Sequence, residues 1–239
     1  MMNYYPLVKT VAEPEAVILA DGSFPVHPLP LSFLYRCRRI VCCDGAAEAL
    51  IQWGREPEAI VGDGDSLNLA LREHYTALIH RETEQETNDL SKAFRYCLKR
   101  GWKKLFILGA TGKREDHTMG NISLLSDYQA QADVQMLTDY GLFTPVCGDA
   151  EFECFPGQQV SVFNRDCRSL SGEGLVYPLS AFTNWWQGTL NEALAGTFKI
   201  YADKRLWVYR VYGAEKENFP NVEKLSLIHI SEPTRRTPI

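Results

Sequence analysis

Short apolar runs alternate with segments of helical periodicity through the first 140 residues, and this alternation restricts the fold more than any other feature. The runs are AVILA, RIVCC, EAIVG, KLFILG and VQMLT, at residues 16–20, 39–43, 58–62, 104–109 and 134–138. The helical segments lie between them, at residues 46–54, 68–78, 89–101 and 117–128. Apolar runs of this length without polar alternation are typical of strands buried on both faces. The sequence therefore predicts an α/β domain built on a parallel sheet.

After residue 140 the pattern changes to short segments rich in aromatic and β-branched residues. They are AEFECF, QQVSVFN, GTFKIYA and RLWVYRVY, at residues 150–155, 158–164, 196–202 and 205–212. Clusters of Gly, Pro, Asn and Asp separate them, and no long helical pattern intervenes. We therefore expect a parallel-sheet α/β domain at 1–140 and an all-β sandwich at 141–214. The polar, Pro-containing remainder at 215–239 is interpreted as a disordered or non-native tail.

Composition and charge exclude several classes of function. The chain has 25 Lys and Arg against 30 Asp and Glu, a formal net charge of −5, and no basic stripe, so we expect no nucleic-acid partner. No apolar run approaches the length of a membrane span, and the first residues lack the features of a signal peptide. The seven cysteines show no zinc-ligand spacing, which indicates reduced thiols. We therefore expect a cytoplasmic protein without a membrane partner.

Polar clusters follow the predicted strands at the edge where a parallel sheet presents its carboxyl ends, which is where such sheets bind ligands. The residues of these clusters are Asp44, Gly45, Asp63, Asp65, Ser66, Asn88, Asp89, Thr111, Gly112, Lys113, Arg114, Asp116, His117 and Asn121. The carboxylates of Asp63, Asp65 and Asp89 are sufficient to hold Mg²⁺ together with substrate phosphates. Arg114 supplies positive charge for a phosphate, and glycine turns let backbone N–H groups approach it. This set favours a magnesium–nucleotide site and phosphoryl transfer.

Each cluster also has an ordinary interpretation. An Asp-Gly pair such as Asp44-Gly45 is a common turn, and Asn88 with Asp89 could cap a helix. The charged run from Lys113 to His117 could be a solvated face. Spacing excludes a P-loop, an EF-hand loop, the G-x-G-x-x-G fingerprint and the G-x-S-x-G nucleophile elbow. The magnesium–nucleotide interpretation depends on several clusters meeting at one edge of the sheet.

The motifs DGA, GDGDS, ETNDLSKA and GATGKREDHTMGNI, in this order, resemble those of the thiamine pyrophosphokinase family. The segments GLVYPL at 174–179 and GTLNE at 188–192 are similar to its thiamine-domain pattern. The resemblance extends over roughly residues 15 to 212. It implies a homodimer, with active sites at the interface, that transfers diphosphate from ATP to the hydroxyethyl oxygen of thiamine. The products would be thiamine diphosphate and AMP.

Carried over motif by motif, the resemblance also implies roles for individual residues. Asp63, Asp65 and Asp89 would bind Mg²⁺ and act in catalysis with Arg114 and Asp116. The residues expected to bind the nucleotide are Asp44, Gly45, Ser66, Asn88, Thr111, Gly112, Lys113, His117 and Asn121. The residues expected near thiamine are Trp186, Thr189 and Asn191. Another Mg²⁺-dependent phosphotransferase or nucleotide hydrolase on the same scaffold is the alternative. A non-enzymatic module for nucleotide sensing or dimerisation explains the three carboxylates less well.

The chain departs from the usual family pattern at four places. Glu86 stands where an aspartate is usual, Asn88 where a threonine is usual, and Lys113 where a second glycine is common. The segment GTLNE at 188–192 stands where Ser-Asn is more usual. The tryptophans at 185, 186 and 207 have two interpretations, packing in the β core or stacking on the cationic thiazolium ring.

Overall fold

The computed structural model describes residues 2–9, 12–63, 66–82, 84 and 86–213, and within them the fold is mixed α/β, as the sequence predicts. The strands are β1 Asn3–Tyr5, β2 Ala16–Leu19, β3 Ile40–Cys43, β4 Ala59–Gly62, β5 Ile79–Arg81, β6 Lys104–Leu108, β7 Asp133–Leu137, β8 Gly141–Cys147, β9 Ala150–Glu153, β10 Gln159–Asn164, β11 Leu170–Glu173, β12 Asn191–Glu192, β13 Thr197–Ala202 and β14 Arg205–Val211. The helices are α1 Pro28–Arg36, α2 Ala46–Gln52, α3 Leu69–His74, α4 Asp89–Lys99 and α5 Glu115–Tyr128, with short 3₁₀ helices η1 Thr76–Leu78 and η2 Trp185–Gly188. In these ranges, no helix combines the length and the apolar character that a bilayer crossing requires.

Ten strands form one continuous sheet in the order β12-β10-β14-β8-β7-β6-β2-β3-β4-β5. Every neighbouring pair from β7 to β5 is parallel. The strands from β7 to β12 are joined by antiparallel pairs. The parallel α/β part and several of the C-terminal strands therefore share one sheet.

The residues of β2 explain why its apolar run is unbroken. Ala16 and Ile18 belong to a core on one face of the sheet, together with buried residues of α4 and α5. Val17 and Leu19 belong to a second core on the other face, together with buried residues of α1 and α2. Helices cover both faces, so successive side chains of the strand are all buried.

A second sheet, in the order β1-β9-β13-β11, packs against the C-terminal half of the large sheet. Phe152 of β9 and Phe198 of β13 stack with ring centroids 4.8 Å apart and lie in a shared core with residues of β10 and β14. The buried Arg210 of β14 donates hydrogen bonds to the carbonyls of Glu153, at 2.7 Å, and Pro6, at 3.1 Å. Burial lowers the pKa of Arg210 to about 10. These contacts hold the start of the chain against the C-terminal strands.

The single helix predicted at 68–78 is shorter in the structure. After α3 the chain continues as η1 and then as β5. The hydroxyl of Thr76 donates to the carbonyls of Arg72 and Glu73, at 2.7 and 2.9 Å. This local side-chain bond takes up carbonyls at the end of α3, which explains why the helical pattern stops there.

The direction of winding reverses between β2 and β6. Strands β3, β4 and β5 follow on one side of β2, whereas β6 and β7 lie on its other side. In open α/β sheets the crevice at such a reversal, outside the carboxyl ends of the two strands, is the usual ligand site. The loops that follow β2 and β6 therefore border the expected ligand site.

Candidate active site

The loops after β2 and β6 are joined by backbone hydrogen bonds across the crevice. The amide of Gly22 donates to the carbonyl of Gly109 at 2.6 Å, and the amide of Ser23 donates to the carbonyl of Thr111 at 2.8 Å. A Cβ at Gly22 would lie 2.3 Å from the Gly109 oxygen, so no larger residue fits there. Gly112 has a φ of +92°, a conformation that glycine adopts without strain. The glycines of this segment therefore permit the close approach of the two loops.

A cavity of about 490 Å³ opens at this crevice. The sequence-predicted residues that line it are Asp63, Asn88, Asp89, Thr111, Lys113, Arg114, His117 and Asn121. Gly112 and Asp116 belong to the same loop and helix start but are not among its lining residues, and neither are Asp44, Gly45 and Ser66. Asp65 lies outside the described residues. The fold thus brings much of the predicted nucleotide site together at one end of the sheet.

Asn88 holds the N-terminus of α4 in place. Its side-chain oxygen accepts from the amide of Ser91 at 3.0 Å, so the helix-capping interpretation is confirmed. Its side-chain nitrogen donates to Oδ1 of Asn121 at 3.1 Å, and Asn121 donates to the carbonyl of Ala110 at 2.9 Å. This chain of bonds links α4, α5 and the loop after β6 around the cavity. Asp89 is the first residue of α4 and therefore has a fixed position at the cavity wall.

Asp44 directly follows β3 and is buried in an unusual backbone conformation. Its φ is +36°, and the residue is 4% exposed. One carboxylate oxygen accepts from the amide of Ser66 at 3.2 Å, whereas Oδ1 has no hydrogen-bond partner among the described residues. Burial raises the pKa of Asp44, and the charges of Asp63 and Asp89 add to this effect. A non-glycine residue in this conformation with an unpaired buried oxygen is frequent at functional sites.

Gly45 follows Asp44 and packs against the loop after β2. A Cβ at Gly45 would lie 3.1 Å from Oδ2 of Asp21, which is a tighter contact than most side chains make. The missing side chain therefore allows the carboxylate of Asp21 to lie beside the turn that follows β3. The Asp-Gly pair acts here as a turn, and its glycine is also needed for the packing of the site.

Two cationic side chains at the start of α5 have carboxylate partners. Arg114 donates to Asp116 twice, from Nε at 3.1 Å and from a terminal nitrogen at 2.6 Å. The guanidinium lowers the pKa of Asp116. Lys113 Nζ lies 2.9 Å from Oδ1 of Asp21. Asp116 is thus placed to orient Arg114, since a paired carboxylate fixes the plane of the guanidinium.

Asp21 and Lys92 also line the cavity, although neither is among the residues predicted from the sequence. Asp21-Gly22 follows the first apolar run just as Asp44-Gly45 follows the second, and that repetition is the signal that could have identified it. Lys92 Nζ lies 3.1 Å from Oδ1 of Asp89, and its side chain is only 5% exposed. Its spacing of three residues from Asp89 was the available signal, because residues three apart share a helix face.

No group of three or more His, Cys, Asp or Glu side chains is arranged for metal binding among the residues whose placement is described. Asp63 and Asp89 line the same cavity, but Asp65, the third predicted ligand, is outside that set. Asp63 and Asp89 are therefore the two predicted magnesium ligands that have a described position.

The residues expected near thiamine lie in another part of the chain. Trp186 is 73% exposed on η2, which packs against β10. Thr189 donates from its hydroxyl to the carbonyl of Trp186 at 2.7 Å. Asn191 is buried, and its amide makes two hydrogen bonds with the backbone of Tyr177, at 3.0 and 2.8 Å. Trp207 is 1% exposed, which agrees with core packing.

These residues do not line the cavity, and the strand order explains why. In the large sheet, β7, β8 and β14 lie between β6 and β10. Four strand spacings correspond to roughly 19 Å. Within one chain, the structure therefore keeps the exposed tryptophan surface apart from the polar cavity.

Comparison with known proteins gives two matches to models of one family. The model described as "Thiamin pyrophosphokinase, catalytic domain" matches residues 31–137. The model described as "Thiamin pyrophosphokinase, substrate-binding domain" matches residues 141–209. Together they account for more than half of the chain, and they meet near the change of pattern at residue 140.

Two curated rice proteins are similar to parts of the chain. Thiamine pyrophosphokinase 1 of Oryza sativa subsp. japonica is 28% identical over 133 residues, 45% of this chain and 50% of the rice protein. Thiamine pyrophosphokinase 3 of the same organism is 30% identical over 110 residues, 36% of this chain and 41% of the rice protein. The matched region thus spans about half the length of these relatives or less.

Solved structures show the same fold at low sequence identity. The thiamin pyrophosphokinase from Candida albicans superposes with a TM-score of 0.71 at 17% identity, over 89% of this chain and 93% of that one. The enzyme of that name from Geobacillus thermodenitrificans gives 0.67 at 20% identity, over 84% and 98%. The two family models, with this shared fold, lead to one conclusion. The chain belongs to the thiamin pyrophosphokinase family.

Proposed function

We propose that the chain is a thiamine diphosphokinase, which transfers a diphosphate group from ATP to the hydroxyethyl oxygen of thiamine and releases AMP. The cavity at the β2–β6 crevice is the observation that carries this proposal. It combines the carboxylates of Asp63 and Asp89 with the cations Lys113 and Arg114. Phosphoryl transfer needs positioning and charge neutralisation more than covalent chemistry, and this set of groups provides both.

Magnesium fits the residues that are present. Carboxylate oxygens beside a phosphate-binding surface are the ligands that Mg²⁺ takes in nucleotide sites, and Asp63 and Asp89 line such a surface. We propose Asp63, Asp65 and Asp89 as the residues that would hold it. Bound there, Mg²⁺ would neutralise charge on the phosphates of ATP.

The protein's own groups would hold and orient the nucleotide. The guanidinium of Arg114, fixed in its plane by Asp116, offers paired donors to a phosphate. The N-terminus of α4, secured by Asn88, directs its positive end at the cavity. The glycines at 109 and 112 let the loop after β6 pack closely against the loop after β2, which fixes the segment that carries Lys113 at the cavity. We propose that these three elements hold the diphosphate in line for attack by the thiamine hydroxyl.

The C-terminal β-rich part, at about residues 141–214, is proposed as a sandwich domain that binds thiamine, after a nucleotide-binding domain at 1–140. Exposed Trp185 and Trp186 supply an aromatic surface suited to the cationic thiazolium ring. Reaction requires the attacking oxygen within about 3.5 Å of phosphorus, far less than the strand separation of the two surfaces. A symmetric homodimer would bring one subunit's tryptophans to the cavity of the other. The seven free thiols support a cytoplasmic location.

One assay tests the activity directly. The protein is incubated with ATP, Mg²⁺ and thiamine, and the products are separated by chromatography. The proposal requires AMP and thiamine diphosphate in equal amounts. ADP with thiamine monophosphate would assign a single-phosphate kinase, and nucleotide breakdown without a thiamine product would assign a hydrolase.

A further inference from the structure

Lys92 is a buried cation to which the proposed function assigns no role. Its side chain is 5% exposed, and Nζ lies 3.1 Å from Oδ1 of Asp89. Both residues line the cavity at the β2–β6 crevice. An ammonium removed from water is costly without a negative partner, so the pair with Asp89 is what allows a lysine in this wall.

Asp89 therefore has two cationic partners to satisfy. Its Oδ1 accepts the Lys92 ammonium in the described structure, and its carboxylate is also a proposed magnesium ligand. Two cations held at one carboxylate repel each other. We propose that Lys92 occupies Asp89 in the nucleotide-free protein and transfers to a phosphate oxygen when nucleotide binds, which releases Asp89 for the metal. This inference rests on the proposed function and adds to it an order of events.

The surroundings of Lys92 restrict the movement to its side chain. The backbone of α4 is held by the Asn88 cap at its start and by Phe94 and Cys97, which are buried in the core. The lysine stem has four rotatable carbons and a compact charge, so Nζ can change partner without displacing the helix. Lys113 and Arg114 line the cavity from the loop after β6 and the start of α5. A phosphate in the cavity would thus lie between the positive group of α4 and those of the loop after β6 and the start of α5.

The proposal predicts opposite effects on two ligands when the Lys92 charge is removed. Without the ammonium, Asp89 is free for a divalent cation, so metal alone should bind more tightly. A phosphate group loses one of its cations, so a metal-free polyphosphate should bind more weakly. A side chain with only a structural role would weaken both ligands or leave both unchanged.

The test uses the full chain with Lys92→Met, an apolar side chain of similar length. Lys99→Met is the matched control, because Lys99 lies two turns further along α4, is 71% exposed and pairs with Glu82 at 3.3 Å. Free Mn²⁺, as a probe for the divalent site, is titrated and followed by electron paramagnetic resonance. Pyrophosphate is titrated by calorimetry in the presence of a chelator. Neither readout depends on turnover.

For Lys92→Met we expect the Kd for Mn²⁺ to fall about tenfold and the Kd for pyrophosphate to rise about tenfold, with both unchanged in Lys99→Met. Shifts in the same direction, no shift in either, or no Mn²⁺ binding by any variant would overturn the inference. If Lys92→Met does not fold, Lys92→Gln must give the same pair of opposite shifts. Product analysis of the unaltered protein is run in parallel, so a failure of the proposed activity is recognised separately.

Discussion

The side chain of Asn88 donates a hydrogen bond to Oδ1 of Asn121, with 3.1 Å between the two atoms. One residue caps α4 and the other lies in α5, so this bond sets the separation of two helices that form opposite parts of the cavity wall. Asn121 also holds the carbonyl of Ala110. The position of the proposed magnesium acid Asp89 therefore depends on a polar contact between helices.

Asn121→Ala should affect the site more than the fold. Loss of these neutral hydrogen bonds costs about 1 kcal/mol of unfolding free energy. We expect the KM for ATP to rise several-fold, because the N-terminus of α4 loses its link to the loop after β6. Steady-state kinetics and thermal unfolding measure the two effects. Ser123→Ala is the control, since its hydroxyl donates to the carbonyl of Gly120 in its own helix and makes no other hydrogen bond among the described residues. An equal KM change there would remove the argument.

Asp63→Asn and Asp89→Asn should each reduce kcat by about a hundredfold, because each removes charge that neutralises the transferring group. Asp63→Asn preserves the shape of the side chain, so its unfolding temperature should change little. Asp89→Asn leaves the buried Lys92 ammonium without its carboxylate partner, so its unfolding temperature should fall. The same reduction in kcat is expected of Asp65→Asn, although Asp65 is outside the described residues. Rates are measured by AMP formation at saturating ATP. Near-normal turnover of Asp89→Asn would refute its assignment as a metal ligand.

Arg114→Lys tests whether the arginine acts through its planar fork. Lysine keeps the charge but cannot make the paired contacts with Asp116 and a phosphate, so we expect about a tenfold loss of kcat/KM for ATP. Lys113→Arg, at the neighbouring position, is the comparison and should be tolerated better. If Arg114→Lys has full activity, the residue contributes only a general positive field.

Mixed dimers test the proposed composite site. Asp63→Asn damages the cavity, and Trp186→Ala damages the exposed aromatic surface. If one chain's tryptophan serves the other's cavity, mixing equal amounts of the two inactive variants should restore about a quarter of the activity, since about half of the dimers are heterodimers and each of these contains one intact site of two. Chromatography with differently tagged chains establishes that heterodimers form. Heterodimers without activity would place both halves of the site in one chain.

Asp44 should give stability a dependence on pH. Burial raises its pKa in the folded protein, so between the unfolded and folded pKa values the folded state binds more protons than the unfolded state. Its contribution is therefore fully present below the unfolded pKa and is lost as pH rises through the folded pKa. The substitution Asp44→Asn removes the titrating group, and asparagine tolerates the positive φ at this position. Unfolding experiments across this range should show Asp44→Asn gaining stability relative to the unaltered chain as pH rises; parallel curves would refute the linkage.

The sequence alone predicts those parts of the structure that are determined by residues close together in the chain. The apolar run of β2 predicts a strand buried on both faces, and the polar residues after β4 and β6 predict the position of the cavity. The bonds of Asn191 to Tyr177 depend on a turn formed between separate segments, and no local pattern indicates them. The strand β1 is not indicated by a local pattern either, because its three residues form a strand by pairing with β9.

Lys92 shows a different limit of sequence reasoning. A lysine in a helix is usually solvated, and only the packing of α4 against the sheet reveals that this one is enclosed. Its environment, rather than its residue type, makes it a candidate for function. The same holds for Asp21, whose contact with Lys113 joins loops far apart in the chain.

The ten-stranded sheet has a mechanical consequence. β8 is hydrogen-bonded to β7 on one side and along Gly141–Cys147 to β14 on the other, so no flexible linker separates the cavity at the β2–β6 crevice from the β-rich part. Hinge closure of the two parts of one chain would have to break these backbone bonds. Under the proposed function, substrate capture would therefore use small movements of side chains and loops, or a change in the docking of the proposed subunits, rather than the hinge motion of enzymes whose lobes are joined by a single linker.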